Sequence, residues 1–358
     1  MERLQSKSAW ELARAERARL EAARVNGSCE SGIEQLDWEV LLGGGFERGK
    51  VVGVSCEDEQ GFGMALGLQV VARAVCSNEA ARALVVTTEP MAMVAGAVRE
   101  AVRREAKGRG DGVEKRCLES VLVSCVFGVE GVGEVLDEYR QQRRQQEVLE
   151  VGDSQDEDDD DDDNNDNGLE QQSAAAAPSI VLIARFSCLL AGLFAQRPAD
   201  AVHAVLCQLG RQMRCVARGP GQPLLLLLNS TTSTTTGTTT GTTTGITGTT
   251  TGITGTTTAI TSATATTGTT TTAATLRSVL TARCKPAYGF AFSRLLDLHL
   301  LASSHAPLTA VEVLLDEQGL WCGHGVSRPC REQRSTFVRL VAGRVVDAHG
   351  PNHHHSHH

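Results

Sequence analysis

The chain has 358 residues and a net charge of -9, with an isoelectric point of about 5.6. This balance argues against nucleic-acid binding, but much of the negative charge lies in one acidic run, so the global charge excludes no partner. The eleven cysteines contain no C-x-x-C pair and indicate reduced intracellular thiols. No uninterrupted apolar run approaches the roughly 18 residues of a membrane span. We expect a soluble intracellular protein with one main domain.

The N-terminal region, residues 1–30, is predicted to be one helix and a linker. Ser8 can cap the helix together with Glu11, alanine and arginine fill its body to Arg24, and Asn26-Gly27 ends it. Two interpretations stay open. The helix is either a solvated element that packs on the core through Trp10 or a segment that docks on a partner.

A strand, a loop and a helix are predicted in succession between Ser31 and Leu66. A triple glycine, Gly43 to Gly45, precedes a strand over Lys50–Ser55, and a helix begins near Gly63. Loop N–H groups and a helix N-terminus converge in such an arrangement, which is where P-loop proteins hold phosphate. The stretch is therefore the first candidate for a nucleotide site.

This stretch resembles the start of the RecA-like ATPase core of eukaryotic strand-exchange recombinases and their paralogues. In that family the pattern TGxxxLDxLLGGGxxxG leads into a strand and a Walker A loop. The matching residues here are Leu36, Asp37, Leu41, Leu42, Gly43, Gly44, Gly45 and Gly49. The resemblance implies a P-loop fold, ATP and magnesium as cofactors, and a role in DNA recombination.

The loop itself departs from the Walker A pattern G-x-x-x-x-G-K-S/T. The residues in its nucleotide-binding positions are Cys56, Glu57, Gly61, Phe62 and Gly63. Cys56 replaces the first glycine, Phe62 replaces the phosphate-binding lysine, and Gly63 replaces the magnesium-binding Ser or Thr. A charge-assisted contact is worth about 1.5–3 kcal/mol, and a carboxylate ~6 Å from a phosphate charge costs roughly 3 kcal/mol. We expect a P-loop scaffold that has lost, or nearly lost, its nucleotide.

A second site position follows the next strand. A helix is predicted over 64–76 and a strand, buried on both faces, over 82–88. The strand ends at Glu89, which by the resemblance matches the glutamate that positions the attacking water. A solvated residue at a strand end is the alternative. A helix over 92–106, a strand over 120–126 and a helix over 132–146 are predicted next.

An acidic tract over 150–177 is predicted to be a disordered loop, because Asp and Asn cannot bury enough apolar surface. The strand after it, Ile180–Phe186, resembles the Walker B strand. In the family an Asp in this strand holds the magnesium-bound water, and the residue in the matching position of this chain is Arg185. Both metal-holding positions of the family are therefore replaced.

A helix over 199–218 and a strand over 223–229 are predicted before a second tract. Asn229 matches the asparagine of the family's TNQ, and Ser230 stands in place of its glutamine. A Thr/Gly-rich tract over 230–275 takes the place of the family's DNA-lining loop, and its composition predicts a flexible insertion.

The segment Ala282–Ser303 resembles a later family motif, xxKPALGxxWxxxxxTRLxL. The matching residues are Lys285, Pro286, Gly289, Arg294 and Leu295. Lys285 and Arg294 are the candidate DNA contacts, with solvated or structural roles as the alternative. Closing strands are predicted over 311–315, 336–341 and 345–347.

No metal site is predicted. Cys322, His324 and Cys330 lie close in sequence, but their spacing fits no common zinc pattern. The tail over 348–358 is rich in histidine and reads as a low-complexity end.

Together these elements predict an α/β protein with a RecA-like P-loop fold over residues 31–347. A mostly parallel central sheet is expected to carry helices on both faces. The main hypothesis is a non-catalytic recombinase paralogue, an accessory subunit that assists a nuclear strand-exchange filament in homologous recombination and DNA repair. Its candidate partners are other paralogues, the recombinase itself and single-stranded DNA. Two alternatives stay open: a DNA-dependent ATPase that binds ATP through loop N–H groups and uses Glu89, and a RecA-fold structural partner outside DNA metabolism.

Overall fold

The computed structural model describes residues 6, 8–110, 112–152, 179–219, 221–233, 278, 280, 284–316 and 334–348. Most of the predicted acidic tract and Thr/Gly-rich tract lies outside the described residues, as do Cys322, His324, Cys330 and nearly all of the His-rich tail. The division of the chain into residues 1–30, 31–347 and 348–358 stays a prediction.

Twelve strands and eight α-helices occur in the part of the chain that the structure describes. The strands are β1 (Ser28–Cys29), β2 (Phe46–Glu47), β3 (Val51–Cys56), β4 (Ala83–Thr87), β5 (Val121–Cys125), β6 (Ile180–Ile183), β7 (Leu224–Ser233), β8 (Cys284–Pro286), β9 (Leu298–His305), β10 (Leu308–Asp316), β11 (Ser335–Val341) and β12 (Arg344–Asp347). The helices are α1 (Ala9–Asn26), α2 (Met64–Ser77), α3 (Met91–Ala106), α4 (Val113–Glu119), α5 (Val129–Gly152), α6 (Phe186–Gln196), α7 (Ala199–Ala217) and α8 (Gly289–Ser293). Single π-helical turns span Leu36–Val40 and Glu59–Gly63.

One large sheet forms the centre of the fold, with the strand order β12-β11-β10-β9-β3-β7-β6-β4-β5. The six strands from β9 to β5 are parallel, whereas β10, β11 and β12 extend the sheet as antiparallel neighbours. The predicted α/β class, with a mostly parallel central sheet, is confirmed.

Two separate apolar clusters cover the two faces of this sheet. Alternate residues of β7 show the division: Leu224, Leu226 and Leu228 belong to the cluster under α2 and α3, while Leu225 and Leu227 belong to the cluster under α5, α6 and α7. Because side chains alternate along a strand, a strand buried on both faces reads as a continuous apolar run. The predicted helices on both faces are confirmed.

Four predicted elements differ from the structure by three or more residues at one end or both. The strand predicted over 180–186 ends at Ile183, because α6 begins at Phe186, and the strand predicted over 311–315 begins at Leu308. The strand β7 continues past Asn229 to Ser233, because β8 pairs with its end and satisfies its backbone groups. The helix α5 begins at Val129 and runs to Gly152, which is three residues into the predicted acidic loop.

The N-terminal helix has the predicted cap but not the predicted packing. The backbone N–H of Ser8 donates to the Glu11 carboxylate at 2.8 Å, and the N–H of Glu11 donates to Ser8 Oγ at 3.2 Å, which is a capping box. The side chain of Trp10 is 66% exposed, so it does not pack on the core. Contact with the core comes instead from the side-chain amide of Gln222, which donates to the Arg19 carbonyl at 2.8 Å.

The triple glycine turns the chain tightly between β1 and β2. Gly45 has a φ of +141°, and a Cβ there would lie 2.6 Å from the Cys29 carbonyl oxygen. Only glycine fits that approach. After this turn and β2, the chain enters β3, the central strand of the sheet.

Within the described residues, no helix is both long and apolar enough to cross a membrane.

Candidate functional site

The loop after β3 lies where parallel α/β sheets most often bind ligands. Strands β3, β4, β6 and β7 run in the same direction, so their carboxyl ends meet at one edge of the sheet. Ligands bind in the crevice at that edge in open α/β sheets. The residues predicted from the Walker A, Walker B and catalytic-glutamate positions lie at the ends of these strands or shortly after them.

Four backbone N–H groups of this loop and of the start of α2 are bound within the protein. The N–H of Gly61 donates to the Asp58 carboxylate at 2.8 Å, and the N–H of Gly63 donates to the Asp58 carbonyl at 3.0 Å. The N–H of Met64 reaches the carbonyls of Glu59 and Gly61, and the N–H of Glu57 donates to Ala302 at 3.1 Å. A phosphate cradle needs such groups to point at the ligand. Here the N–H groups of Gly61, Gly63 and Met64 donate to acceptors of the loop itself, and that of Glu57 donates to β9.

The Asp58 carboxylate occupies the space under this turn. A Cβ added at Gly61 would collide with that carboxylate. Gly61, which matches the Walker A pattern, is therefore needed in this chain to make room for the Asp58 carboxylate in the closed turn.

Phe62 points into the core. Its side chain is 4% exposed and belongs to the apolar cluster under α2 and α3. The flexible lysine of a working P-loop has its ammonium group free to reach phosphate. A buried ring in this position anchors the loop.

The other two Walker A positions pack against each other. A Cβ added at Gly63 would lie 3.1 Å from Cys56 Sγ, so a Ser or Thr there would crowd the thiol. Burial raises the pKa of the Cys56 thiol far above its ordinary value, and the carboxylates of Glu59 and Asp58 raise it further. The thiol is therefore protonated and acts as a small apolar side chain.

Glu57 ties the loop to the neighbouring strands. Its carboxylate accepts from the backbone N–H of Ser304 on β9 at 2.7 Å and from the thiol of Cys284 on β8. These bonds give Glu57 a structural role in this conformation of the loop.

Glu89 and Arg185 form an ion pair. The Arg185 side chain donates from Nη1 to Glu89 Oε1 at 2.8 Å and from Nη2 to Cys188 Sγ at 3.1 Å. Both bonds raise the pKa of Arg185 above its ordinary value, with the Cys188 bond the larger cause. The side chains are 27% and 19% exposed. The chain thus places a guanidinium where the resemblance implies a magnesium-binding carboxylate.

A second carboxylate joins the same cluster. Ser187 Oγ donates to Glu59 Oε2 at 2.9 Å. Burial raises the pKa of Glu59, while the bond from Ser187 and the charge of Arg185 act in the opposite direction. Glu59 Oε1 is buried without a hydrogen-bond partner among the described residues.

We name Glu59, Glu89, Arg185 and Ser187 the carboxyl-edge cluster. Arg185 links the start of α6 to the end of β4 through Glu89, and Ser187 links α6 to the β3–α2 loop through Glu59. Its donor set does not fit a magnesium–triphosphate group, because the loop contributes carboxylates and no cation, Gly63 has no hydroxyl group and Arg185 has no carboxylate. Across the described residues, no three His, Cys, Asp or Glu side chains are grouped so that they would hold a metal ion.

The two predicted DNA contacts lie at different ends of the sheet. Lys285 is exposed on β8, opposite Thr232 near the carboxyl end of β7. Arg294 follows α8 and precedes Asp297, whose carboxylate accepts from the N–H of Val51 at the amino end of β3. The structure does not bring the two side chains together, and their roles stay predictions.

The sequence analysis missed a buried hydrogen-bond chain beside the loop. Asn229 Nδ2 donates to Ser55 Oγ at 3.0 Å, and Ser55 Oγ lies 2.9 Å from His299 Nε2. Ser293 Oγ lies 3.2 Å from His299 Nδ1 and donates to the Gly289 carbonyl. Since the Ser293 proton is used there, His299 donates from Nδ1 and accepts from Ser55 at Nε2. Asn229 was the only one of these residues with a sequence signal.

Replacing Arg185 by alanine is expected to lower the free energy of unfolding by about 2 kcal/mol at pH 7. Removing one partner of a buried pair costs about 3–5 kcal/mol, and partial exposure of this pair reduces that cost. Urea denaturation at pH 7 measures the change. Arg185→Lys should restore part of the loss. Arg99→Ala, an exposed arginine on α3, should change stability by less than about 0.5 kcal/mol, and equal losses for Arg185→Ala and Arg99→Ala would contradict the pairing.

Replacing Glu59 by glutamine is expected to raise the free energy of unfolding by about 1 kcal/mol at pH 7.5. A carboxyl group whose pKa is raised on folding loses stability as pH rises from its unfolded pKa through its folded pKa. The gain should therefore vanish near pH 4, where Glu59 is protonated in the folded protein. Urea titrations at the two pH values measure it, and a gain of equal size at both would contradict the assigned cause.

Neither a protein-family model nor a curated protein matches the sequence. Among solved structures, the crystal structure of the RadB recombinase is similar to this chain, with 13% sequence identity and a TM-score of 0.47. The alignment covers 90% of this chain and 100% of the RadB chain. The likeness concerns the overall fold, and the carboxyl-edge cluster is described from its own geometry.

Proposed function

We propose that the chain is a non-catalytic, recombinase-paralogue-like accessory subunit that assists a strand-exchange filament in homologous recombination and DNA repair. One observation carries the non-catalytic part. The β3–α2 loop binds its own N–H groups, and Arg185 pairs with Glu89 beside it. The recombination part rests on the resemblance of the sequence motifs to the recombinase family.

Assembly is the proposed mode of action. In the family that the motifs resemble, ATP lies between neighbouring subunits, so a subunit with a closed loop still offers a surface to the working site of its neighbour. The proposed partners are other recombinase paralogues or the recombinase itself, in the nucleus. Single-stranded DNA, contacted through Lys285 or Arg294, is a further proposed partner.

A non-catalytic function is favoured over an active ATPase because nucleotide binding would require several changes in the β3–α2 loop. A triphosphate would have to break the bonds of the Gly61 and Gly63 N–H groups and approach the carboxylates of Glu57, Asp58 and Glu59. Glu89 favours the ATPase alternative, since it matches the catalytic glutamate of the family. In this structure its carboxylate already neutralises Arg185.

Equilibrium binding of a fluorescent ATP analogue with magnesium tests the proposal. The natural chain should show no binding up to about 1 mM, with or without single-stranded DNA. A triple variant, Cys56→Gly, Phe62→Lys and Gly63→Thr, removes the crowding at Gly63 and supplies the missing lysine and hydroxyl group. Some binding by this variant would show that the scaffold itself is competent. Micromolar binding by the natural chain would overturn the non-catalytic function whatever the variant does.

A second measurement separates the recombination role from a structural role elsewhere. The chain is added to a strand-exchange recombinase filament on single-stranded DNA, and the lifetime of the filament is recorded. A longer lifetime supports the proposal. No effect on the filament, and no association with recombinase or paralogue, would favour a RecA-fold partner outside DNA metabolism.

A further inference from the structure

A groove of about 380 Å³ lies between α6, α7 and α8. We name it the basic groove and define it by Phe194, Leu206, Arg211, Arg214, Phe290 and Arg294. It lies on the helical face over α7, whereas the β3–α2 loop follows the carboxyl end of β3. The inference below holds whether or not that loop binds nucleotide.

The interior of the basic groove is apolar. Leu206 and Leu295 are buried in its floor, and Phe290 is 72% exposed at its wall. Phe194 is also exposed and stacks on Tyr288, with ring centroids 5.1 Å apart. Exposed aromatic rings beside a concave apolar floor are typical of a binding surface for an apolar or aromatic side chain.

The rim of the groove is positively charged. Among the described residues, Arg211 and Arg294 form no ion pair, and the lining contains no Asp or Glu. The Arg294 guanidinium lies 5.3 Å from the centroid of the Phe290 ring, which orients it at the groove wall. Arg214 donates to the Arg294 carbonyl at 2.8 Å and lies 3.9 Å from the Asp297 carboxylate. Its guanidinium is therefore used within the protein and holds the backbone of Arg294. The guanidinium groups of Arg211 and Arg294 are therefore available to pair with carboxylates of a ligand.

We propose that the basic groove binds a linear acidic segment of a partner protein. One apolar or aromatic side chain of the segment fills the floor beside Phe290, and flanking carboxylates pair with Arg211 and Arg294. Planar guanidinium groups bind carboxylates with two parallel hydrogen bonds, which gives both affinity and orientation.

Two other occupants fit the groove less well. The acidic run over residues 153–166, within the chain's own tract over 150–177, contains no apolar residue, so this run would neutralise the rim and leave the floor unfilled. A polynucleotide offers phosphates to the rim, but its binding depends on bases stacking on exposed rings along a strand. In the groove the Phe290 ring is already covered on one side by Arg294.

Fluorescence anisotropy with the full chain tests the proposal. The probe is a labelled 12-residue peptide with six Asp or Glu residues around one central Phe. We expect binding in the micromolar range, and Arg211→Ala with Arg294→Ala should weaken it by about tenfold or more. Replacing the peptide Phe by Ser should weaken binding about fivefold. Both arginines are exposed, so the double variant should keep its fold, which circular dichroism checks.

A matched control uses two exposed cations of α3 and its end. Arg99→Ala with Lys107→Ala removes the same charge from another part of the surface and should change the affinity less than twofold. Equal losses in the two double variants would show attraction by net charge alone and would overturn the proposal. So would equal binding of the Phe and Ser peptides.

Two further arms separate the other occupants. A labelled oligothymidylate that binds more tightly than the peptide, with the same dependence on Arg211 and Arg294, would make the groove a nucleic-acid site. Deletion of residues 153–166 in the otherwise full chain should leave the affinity for the Phe peptide within about threefold. A gain of tenfold or more would assign the groove to the chain's own tract. Either result overturns binding of a partner segment.

Discussion

Replacing Phe62 by lysine is expected to lower the free energy of unfolding by about 4 kcal/mol. The ring is buried in the cluster under α2 and α3, and loss of a buried Phe side chain costs about 3–5 kcal/mol. The lysine ammonium would also have to leave the core or lose its charge. Urea denaturation of the variant and the natural chain measures the difference.

The matched change for this prediction is Phe62→Leu, which keeps the site apolar and should cost less than about 1.5 kcal/mol. If Phe62→Lys costs no more than the leucine variant, the ring is not anchoring the loop. The prediction also bears on the nucleotide test. A single restored lysine should destabilise the chain without restoring binding, because position 63 still lacks a hydroxyl group and Cys56 still stands in place of the first glycine.

Acid is expected to destabilise the protein through His299. Burial lowers the pKa of this imidazole to about 3, against roughly 6.5 for an exposed histidine. A base whose pKa is lowered on folding binds its proton only in the unfolded state between those two values. Stability should therefore fall as pH drops below about 6.5, by up to about 1.4 kcal/mol per pH unit, which is roughly 3 kcal/mol by pH 4.5.

The variant His299→Gln isolates this contribution. It should be less stable than the natural chain at pH 7, because the hydrogen bonds of residue 299 with Ser55 and Ser293 are disturbed. Between pH 6.5 and pH 4.5 its free energy of unfolding should fall less steeply, by up to about 1.4 kcal/mol per pH unit, which corresponds to one proton. Other titrating groups contribute to both proteins alike, so identical slopes would contradict the assignment to His299.

Five of the six parallel strands were predicted, because burial produces apolar runs in the sequence, whereas β9 (Leu298–His305) was not predicted as a strand. The strands predicted over 82–88 and 180–186 contain the apolar runs 83–86 and 180–184, and the strands Ala83–Thr87 and Ile180–Ile183 coincide with these runs. The order of strands in the sheet produces no such pattern. The extension of β7 to Ser233 depends on pairing with β8, about fifty residues further along the chain. Thr favours strands, but the Thr-rich sequence continues beyond Ser233 and does not mark where the strand ends.

The site was predictable in its positions and not in its contacts. Glu89 and Arg185 were each found from a motif, but their pairing follows from the proximity of the ends of β4 and β6, which are neighbours in the sheet. The closed turn around Asp58 depends on backbone geometry that a residue pattern does not encode. His299 had no signal either, because a buried neutral histidine looks like any other histidine in a sequence.

The pairing of β7 with β8 also determines how the chain tolerates changes in length. Ser233 and Cys284 are register partners, so the residues between them join two adjacent points of the fold. The entropy lost on joining two fixed ends grows with the logarithm of the intervening length, and doubling that length costs only about 0.6 kcal/mol. Repeat units can therefore be gained or lost between Ser233 and Cys284 with little effect on folding, and a reporter domain inserted in the repeat should leave the core intact.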